Sequence, residues 1–229
     1  MNYVFQFGEV FRYWPLLAQG AAVTLALSIA GMIAGLVIGT LCALARRSEN
    51  AFVRIPAASY VEVIRNTPLL VQAFIIFFGL PGLGIRLDSN IAAIIALVIN
   101  NGAYTTEIVR SGIEAIHRSQ FEAGLSIGMS RLQVFVYVVA RPAFEKIYPA
   151  LCSQFIILLL GSSVVSAIGA DELTAFAHRI QSANFRSLEV YIVCMFTYLG
   201  LAFMVRGGLA AIGFSLFSYR RHIARTSGV

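Results

Sequence analysis

Residues 119 to 133 read SQFEAGLSIGMSRLQ. Ser119, followed three residues on by Glu122, has the form of a capping box, in which a hydroxyl and a carboxylate satisfy the free amides of a helix start. Gly128 is a natural stop, because glycine enters the left-handed conformation that closes helices at little steric cost. Ser130 and Gln133 form a second box that opens RLQVFVYVVAR. The stretch therefore predicts helix, glycine stop, helix. Phe121, Leu125 and either Gly124 or Gly128 recur at three to four residues on one face, an apolar knob among small residues that leaves room for a partner's close approach.

Such a polar-capped piece is unexpected in its surroundings. The 229 residues are 59% hydrophobic and 12% charged, with a mean hydropathy of +0.80, values that belong in lipid. A bilayer core needs about 20 apolar residues per helix, and each crossing must satisfy its own backbone hydrogen bonds. Five runs meet that demand. Residues 13 to 45 carry no charge, 55 to 81 only Glu62 and Arg65, and 89 to 106 and 147 to 170 none; 188 to 217 is interrupted by Arg206. The expected architecture is an all-α integral membrane protein forming one transmembrane domain over 1–229. Its spans are placed at about 15–45, 55–81, 89–112, 144–169 and 188–217, with a loop at 113–141.

Five spans put the termini on opposite sides, and the basic residues choose the orientation. Arg46, Arg47, Arg54, Arg110, Arg118, Arg131, Arg141, Lys146, Arg220, Arg221 and Arg225 fall on one side; Arg12, Arg86, Arg179 and Arg186 fall on the other. The positive-inside rule then sets the N-terminus outside and the 113–141 loop and the basic tail in the cytoplasm. This places the net charge of +6 beside anionic lipid rather than nucleic acid. The N-terminal stretch lacks a basic n-region, so no cleaved signal is expected. Cys42, Cys152 and Cys194 each lie in an apolar run without metal-ligand spacing, and are expected to be small buried hydrophobes. Gly31, Gly35 and Gly39 line one face of the first span, where a neighbouring backbone can come close; an internal neighbour is favoured over a second subunit.

Polar groups at membrane depth are functional candidates by default. In YVEVIRNTPLLVQ, Glu62 and Arg65 stand three apart, close enough to neutralise each other. Pro68 breaks the helix and frees carbonyls that, with Asn66, Thr67 and Gln72, are placed to line a cavity. The alternative is a structural pair beside a kink. Asn101, Tyr104 and Thr105 make a polar face that either bonds helices together or binds a solute, while Glu107, Arg110 and Glu114 form a charge ladder at the cytoplasmic edge. Gly161, Ser162 and Ser163 loosen the fourth span, and ADELTAFAHRI reads as a short amphipathic segment at the outer surface, suited to a gate or docking site. His178 within it is expected to be packed or solvated rather than a ligand.

Lys146 is the sole lysine, and its context FEKIY excludes a Walker phosphate loop. HExxH and GxGxxG are absent, and His117, His178 and His222 do not form a triad with a serine and a carboxylate. No enzyme, metal site or resident cofactor is expected.

Three motifs carry a resemblance. Glu122, Ala123, Gly128 and Pro142 match an E-A-A, three residues, G signature followed by L-P. Arg65, Thr67, Pro68, Leu69, Leu70, Val71 and Gln72 match R-G-T-P-L-L-V-Q with Asn66 for glycine. Asn101 through Thr105, with Glu107, Ile108 and Arg110, match N-G-A-Y-T-x-E-I-x-R. The chain resembles, over essentially its whole length, the five-span polar amino acid permeases of bacterial ATP-binding-cassette importers, of the histidine, glutamine and glutamate type. It departs from them at Gly124, at Arg141, and at Leu160 to Val164, where the family commonly has K-D-T-S-L.

The resemblance implies a type I importer fold in the bacterial inner membrane, with a coupling helix between spans three and four. Ser119, Phe121, Glu122, Ala123, Gly124, Gly128 and Pro142 would be the ATPase-coupling elements. Glu62, Thr67, Asn101, Tyr104, Ser162 and Ser163 would be the pathway for a polar amino acid. It implies partners as well: ATPase subunits that hold ATP and magnesium, a second permease subunit, identical or homologous, and a periplasmic solute-binding protein. The competing class is a secondary transporter or channel that needs no ATPase; against it, the ionisable residues lie mostly near span ends and no inverted repeat is evident.

Overall fold

The computed structural model describes residues 3–217; the basic tail with Arg220, Arg221 and Arg225 lies outside the described residues. The chain opens with a short helix α1 (Phe7–Phe11) and then the long α2 (Trp14–Ala45), whose Pro15 sits in the first turn, where a missing amide costs nothing. α3 (Ala51–Arg65) starts on Asn50, whose side chain accepts from Phe52 N at 2.9 Å. α4 (Leu69–Phe74) follows and runs on through a π-helical turn (Ile75–Gly79) and a 3-10 turn (Leu80–Leu83). α5 (Ser89–Glu114) is capped by Asp88.

Then come α6 (Arg118–Ser126) and α7 (Arg131–Gln133). A π-helical stretch (Val134–Ala140), α8 (Arg141–Gly161) and a 3-10 turn (Ser162–Ile168) continue α7 as a single rod. α9 (Leu173–Asn184) and α10 (Ser187–Leu216) close the chain. Helix is the only regular structure among the described residues.

Among the described residues four helices are long and apolar enough to cross a membrane: α2, α5, the Arg131–Ile168 rod and α10. The α3 and α4 legs pass the same test together but bend by 110° between Arg65 and Leu69. The second span is therefore a sharply broken pair. Pro68 supplies the break, since it has no amide and biases Thr67 away from helical geometry.

The α2–α5 pairing is the most extensive among the described residues, and the glycine stripe creates it. A Cβ on Gly35 would lie 2.5 Å from Asn101 Nδ2, and one on Gly39 would lie 2.6 Å from Thr105 Cβ and 2.9 Å from the Gly102 carbonyl. The neighbour of the stripe is thus the chain's own third span. Without interhelical hydrophobic gain in lipid, such backbone approach is what dispersion needs.

α9 is amphipathic as expected, but its apolar face is packed. Leu173, Phe176, Ala177 and Ile180 are buried, and a Cβ on Gly20 of α2 would meet Phe176 at 2.8 Å. All three cysteines are free; Cys194 is buried, whereas Cys42 and Cys152 are half-buried rather than fully enclosed.

Candidate functional site

The break in the second span exposes helix ends at membrane depth, and Gln72 closes them. Its Nε2 donates to the Ile64 carbonyl at 2.8 Å, to the Thr67 carbonyl at 3.0 Å and to Thr67 Oγ1 at 2.9 Å, and its Oε1 accepts from Asn100 Nδ2 at 3.0 Å. The carbonyls that Pro68 frees are therefore tied to a buried amide and do not line a cavity. Thr67 Oγ1 also donates to the Val63 carbonyl at 2.8 Å and remains on an exposed turn.

Glu62 and Arg65 do not pair. Glu62 accepts from Asn66 Nδ2 at 3.0 Å, while Arg65 lies over the Tyr104 ring, 5.4 Å from its centroid, with Nη1 4.0 Å from Glu107 Oε1. A three-residue spacing permits a pair, but a tertiary carboxylate and an aromatic face drew the guanidinium off its own helix. Glu107 gathers cations from three helices: Arg46 of α2 pairs with it, Arg110 of α5 donates at 2.7 Å, and Arg65 comes from α3. Arg110 also reaches Glu114 at 2.7 Å, completing the expected ladder.

Asn101 is fully buried. Its Nδ2 donates to the Gly31 carbonyl at 3.2 Å and its Oδ1 accepts from Gln154 at 3.3 Å. It ties α2, α5 and α8 together, and of the two readings open for it, helix bonding is the one its contacts supply. Ser162 is fully buried too, donating to the Leu159 carbonyl at 2.7 Å; Ser163 is half-buried and donates to Leu160 at 2.8 Å. In this conformation neither Asn101 nor Ser162 faces an open path, whereas Glu62, Thr67 and, partly, Tyr104 and Ser163 are accessible. The serines lie beside the broken span: a Cβ on Gly161 would be 3.9 Å from Leu69.

The 119–133 stretch forms helix, stop, helix, with one capping box of the two. The Ser130–Gln133 box is present, with reciprocal bonds of 2.8 and 3.3 Å. The Ser119–Glu122 box is not. His117 caps α6 instead, accepting from Ser119 N at 3.3 Å, and Glu122 pairs with Arg118 at 2.9 Å. The helix starts one residue before Ser119, so the serine falls inside its first turn.

Gly128 adopts φ +86°. Its amide donates to Leu125 at 3.0 Å and the Met129 amide to Gly124 at 3.2 Å, the two bonds of a Schellman stop. The small-residue face turns inward. A Cβ on Gly124 would meet Val134 at 2.8 Å and Phe121 packs on the core, leaving Ala123, Leu125, Ile127 and Leu132 outward. The close approach is the chain's own. Pro142 is half-buried in the first turn of α8.

Two buried acids escaped the sequence reading. Glu172 caps α9, accepting from Ala175 N at 2.8 Å, and Tyr198 donates to its other oxygen; burial pushes its carboxyl above the usual range. Glu189 accepts from Tyr3 Oη at 2.5 Å and Gln6 N at 3.1 Å, fastening the N-terminal segment to α10. Only the helix-cap position of Glu172, just before LTAF, offered a signal.

The described residues thus form a helical bundle centred on α5, with a broken helix pair beside it and a capped helical element outside it. A family model described as "Binding-protein-dependent transport system inner membrane component" matches residues 35–225. The chain belongs to this family.

Among similar proteins, this inner membrane component is 38% identical over 197 residues to the glutamine transport system permease protein GlnP of Escherichia coli (strain K12), covering 85% of this chain and 90% of GlnP. It is 37% identical over 194 residues to the L-cystine transport system permease protein TcyB of Bacillus subtilis (strain 168), covering 84% and 83%. A crystal structure of an amino acid ABC transporter with histidines superposes with a TM-score of 0.86 at 36% identity, covering 92% of this chain and 99% of that one. The MetNI methionine transporter shares the fold, with a TM-score of 0.75 at 19% identity over 90% and 98%. The chain is therefore a membrane-embedded permease subunit of the ABC importer class, with a type I importer fold.

Proposed function

We propose that this permease subunit carries a polar amino acid inward across the bacterial inner membrane, driven by ATP that separate ATPase subunits bind with magnesium and hydrolyse. Its N-terminus is periplasmic, and it works with a second permease subunit and a periplasmic solute-binding protein. The observation that carries the coupling half of this reading is α6. It is an outward-facing helix with a Schellman stop at Gly128, at the basic end of the chain and anchored by Gly124 on Val134. The amino acid half is supported by the names of the relatives.

In this reading α6 sits in a groove of the ATPase, with Ser119, Glu122 and Ala123 outward and Phe121, Gly124 and Pro142 holding it to the spans. Glu62, Thr67, Tyr104 and Ser163 hydrogen-bond the solute's ammonium and carboxylate groups. Asn101 and Ser162 join the path only when the helices part, as alternation between two states biased by ATP and by the loaded binding protein requires. The test is uptake of labelled glutamine, histidine and cystine into vesicles holding the subunit with its partner ATPase. Uptake should need ATP and the binding protein. Uptake driven by a proton gradient without the ATPase would overturn the proposal.

A further inference from the structure

Two adjoining cavities lie on the face where α2, α5 and the π-helical stretch meet. The first, about 350 Å³, is walled by carbon: Leu36, Leu44, Val109, Phe135, Phe144 and Leu151 are among its residues. Its one hydroxyl, Thr40 Oγ1, already donates to the Leu36 carbonyl at 2.8 Å. Nothing polar there awaits a partner, so the space suits hydrocarbon and not a hydrated solute. The second cavity, about 390 Å³, shares the walls Ile113 and Phe135 and opens past Arg47, His117 and Arg118.

The charges at that mouth are unequal. Its one carboxylate, Glu114, is engaged by both oxygens with Arg110 at 2.7 Å, and Arg118 is occupied by Glu122. Arg47 is exposed and has no carboxylate partner among the described residues. His117 uses Nδ1 for the α6 cap, which leaves its other ring nitrogen to the mouth. A π-helical stretch places Phe135 and Ala140 on the cavity wall; such stretches are energetically poor and recur at functional sites.

We infer that this pair of cavities is a binding site for an anionic phospholipid of the cytoplasmic leaflet, with an acyl chain in the carbon-walled part and the phosphate at Arg47. The site rests on the proposed orientation, in which the basic end faces the leaflet that carries anionic headgroups. Charge complementarity chooses this occupant. A zwitterionic lipid gains less from an unpaired guanidinium, because its own ammonium offsets the phosphate charge, and a free anion gains nothing from the carbon walls. The site touches α6 through Phe121 and His117, so an occupant there braces the element proposed to couple to the ATPase.

The test is lipid retention by the purified permease–ATPase complex, read by native mass spectrometry after exposure to phosphatidylglycerol or phosphatidylcholine of equal chain length. The wild type should retain phosphatidylglycerol preferentially. Arg47→Gln, an exposed change that breaks no internal bond, should lower that retention about fivefold, the contribution of one basic group at an anionic surface, and lower phosphatidylcholine retention less. Ala140→Leu, which fills the carbon-walled part, should lower retention of phosphatidylglycerol as well.

Equal retention of the two lipids, an Arg47→Gln complex indistinguishable from wild type, or indifference to Ala140→Leu would each overturn the site. So would displacement of the lipid by glycerol phosphate at equal concentration, because the anion would then suffice. The readout needs neither ATP nor solute. Its failure leaves the importer reading standing, and failed uptake leaves the lipid result standing.

Discussion

Gln72 should be the most damaging single polar residue to lose in the broken span. It is 7% exposed, and it is the sole hydrogen-bond donor to the Thr67 carbonyl. The Ile64 carbonyl would keep only long contacts to Thr67, at 3.4 and 3.5 Å. Leaving a fully buried carbonyl unpaired costs about 1–3 kcal/mol, of which these part-buried carbonyls carry a share, while interhelical bonds within membranes average about 0.6 kcal/mol. Gln72→Leu, which keeps the volume, should therefore cost about 1 kcal/mol. Gln72→Glu should cost more, because it turns an acceptor toward two carbonyls. The assay is reversible unfolding in mixed micelles, extended to a double-mutant cycle with Asn100→Ala, whose amide donates to Gln72 Oε1 at 3.0 Å. A Gln72→Leu loss below about 0.5 kcal/mol, the range of ordinary surface changes, would refute the claim that this amide closes the break. Additivity with Asn100→Ala would refute the link to α5.

Gly39→Val should weaken the α2–α5 pairing by about 1–3 kcal/mol in the same assay, since its Cβ would press on Thr105 and the Gly102 carbonyl; Gly207→Ala, in the interior of α10 with nothing within 4 Å, should cost no stability and gain up to about 1 kcal/mol of helix propensity. Gly128→Val should strain a φ of +86° and abolish ATP-driven uptake while the subunit still inserts, read by uptake and by membrane fractionation. Asn101→Ala should lower stability by about 1 kcal/mol and, because Asn101 meets the path only when the helices part, change solute affinity less than Tyr104→Ala does; a concentration series of uptake separates them. For Glu172, whose carboxyl is held above its unfolded range by burial, the sign follows from linkage: stability is fully present below the ordinary carboxylate range and lost as pH rises through the raised folded value. Melting of the wild type should therefore fall across that window, and Glu172→Gln should flatten the profile.

What the sequence made legible was whatever depends on local spacing. Uncharged length placed the crossings, because lipid forbids unpaired backbone whatever the tertiary fold. Four-residue glycine spacing announced a close approach, and Pro68 announced a break. What it hid was partner choice over distance. Arg65 left Glu62 for Glu107 and Tyr104, and Asn101 found Gly31 and Gln154, 70 and 53 residues away. Glu172 and Glu189 are held by tyrosines 26 and 186 residues distant. The missed cap is a subtler case: His117 can accept a hydrogen bond as Ser119 can, and Glu122 had Arg118 one turn earlier, so the helix began before the pattern did. The inward turn of Gly124 was hidden for the same reason, since Val134 lies on the next element.

These ties converge on α5, and under the proposed coupling that constrains how a push on α6 can travel. Glu107 binds α5 to α2 and α3, Asn100 binds it to the broken span, and Asn101 binds it to α2 and α8. At its far end Gly112 lies against Ala143 and Ile147 of α8, and Lys146 donates to the Ala115 carbonyl at 2.7 Å, just before α6 begins. α6 is thus joined to α5 through a short capped turn and to the rod through Val134, so a displacement of α6 loads both at once. Close packing transmits such a load without absorbing it. The place that can yield is the break at Asn66–Pro68, where continuous helix is already interrupted and a single side chain holds the ends. On this argument Gln72 is a hinge pin: Gln72→Leu should uncouple ATP hydrolysis from uptake, not merely lower stability. A variant that hydrolyses ATP at the wild-type rate and still transports at the wild-type rate would remove the hinge from that position.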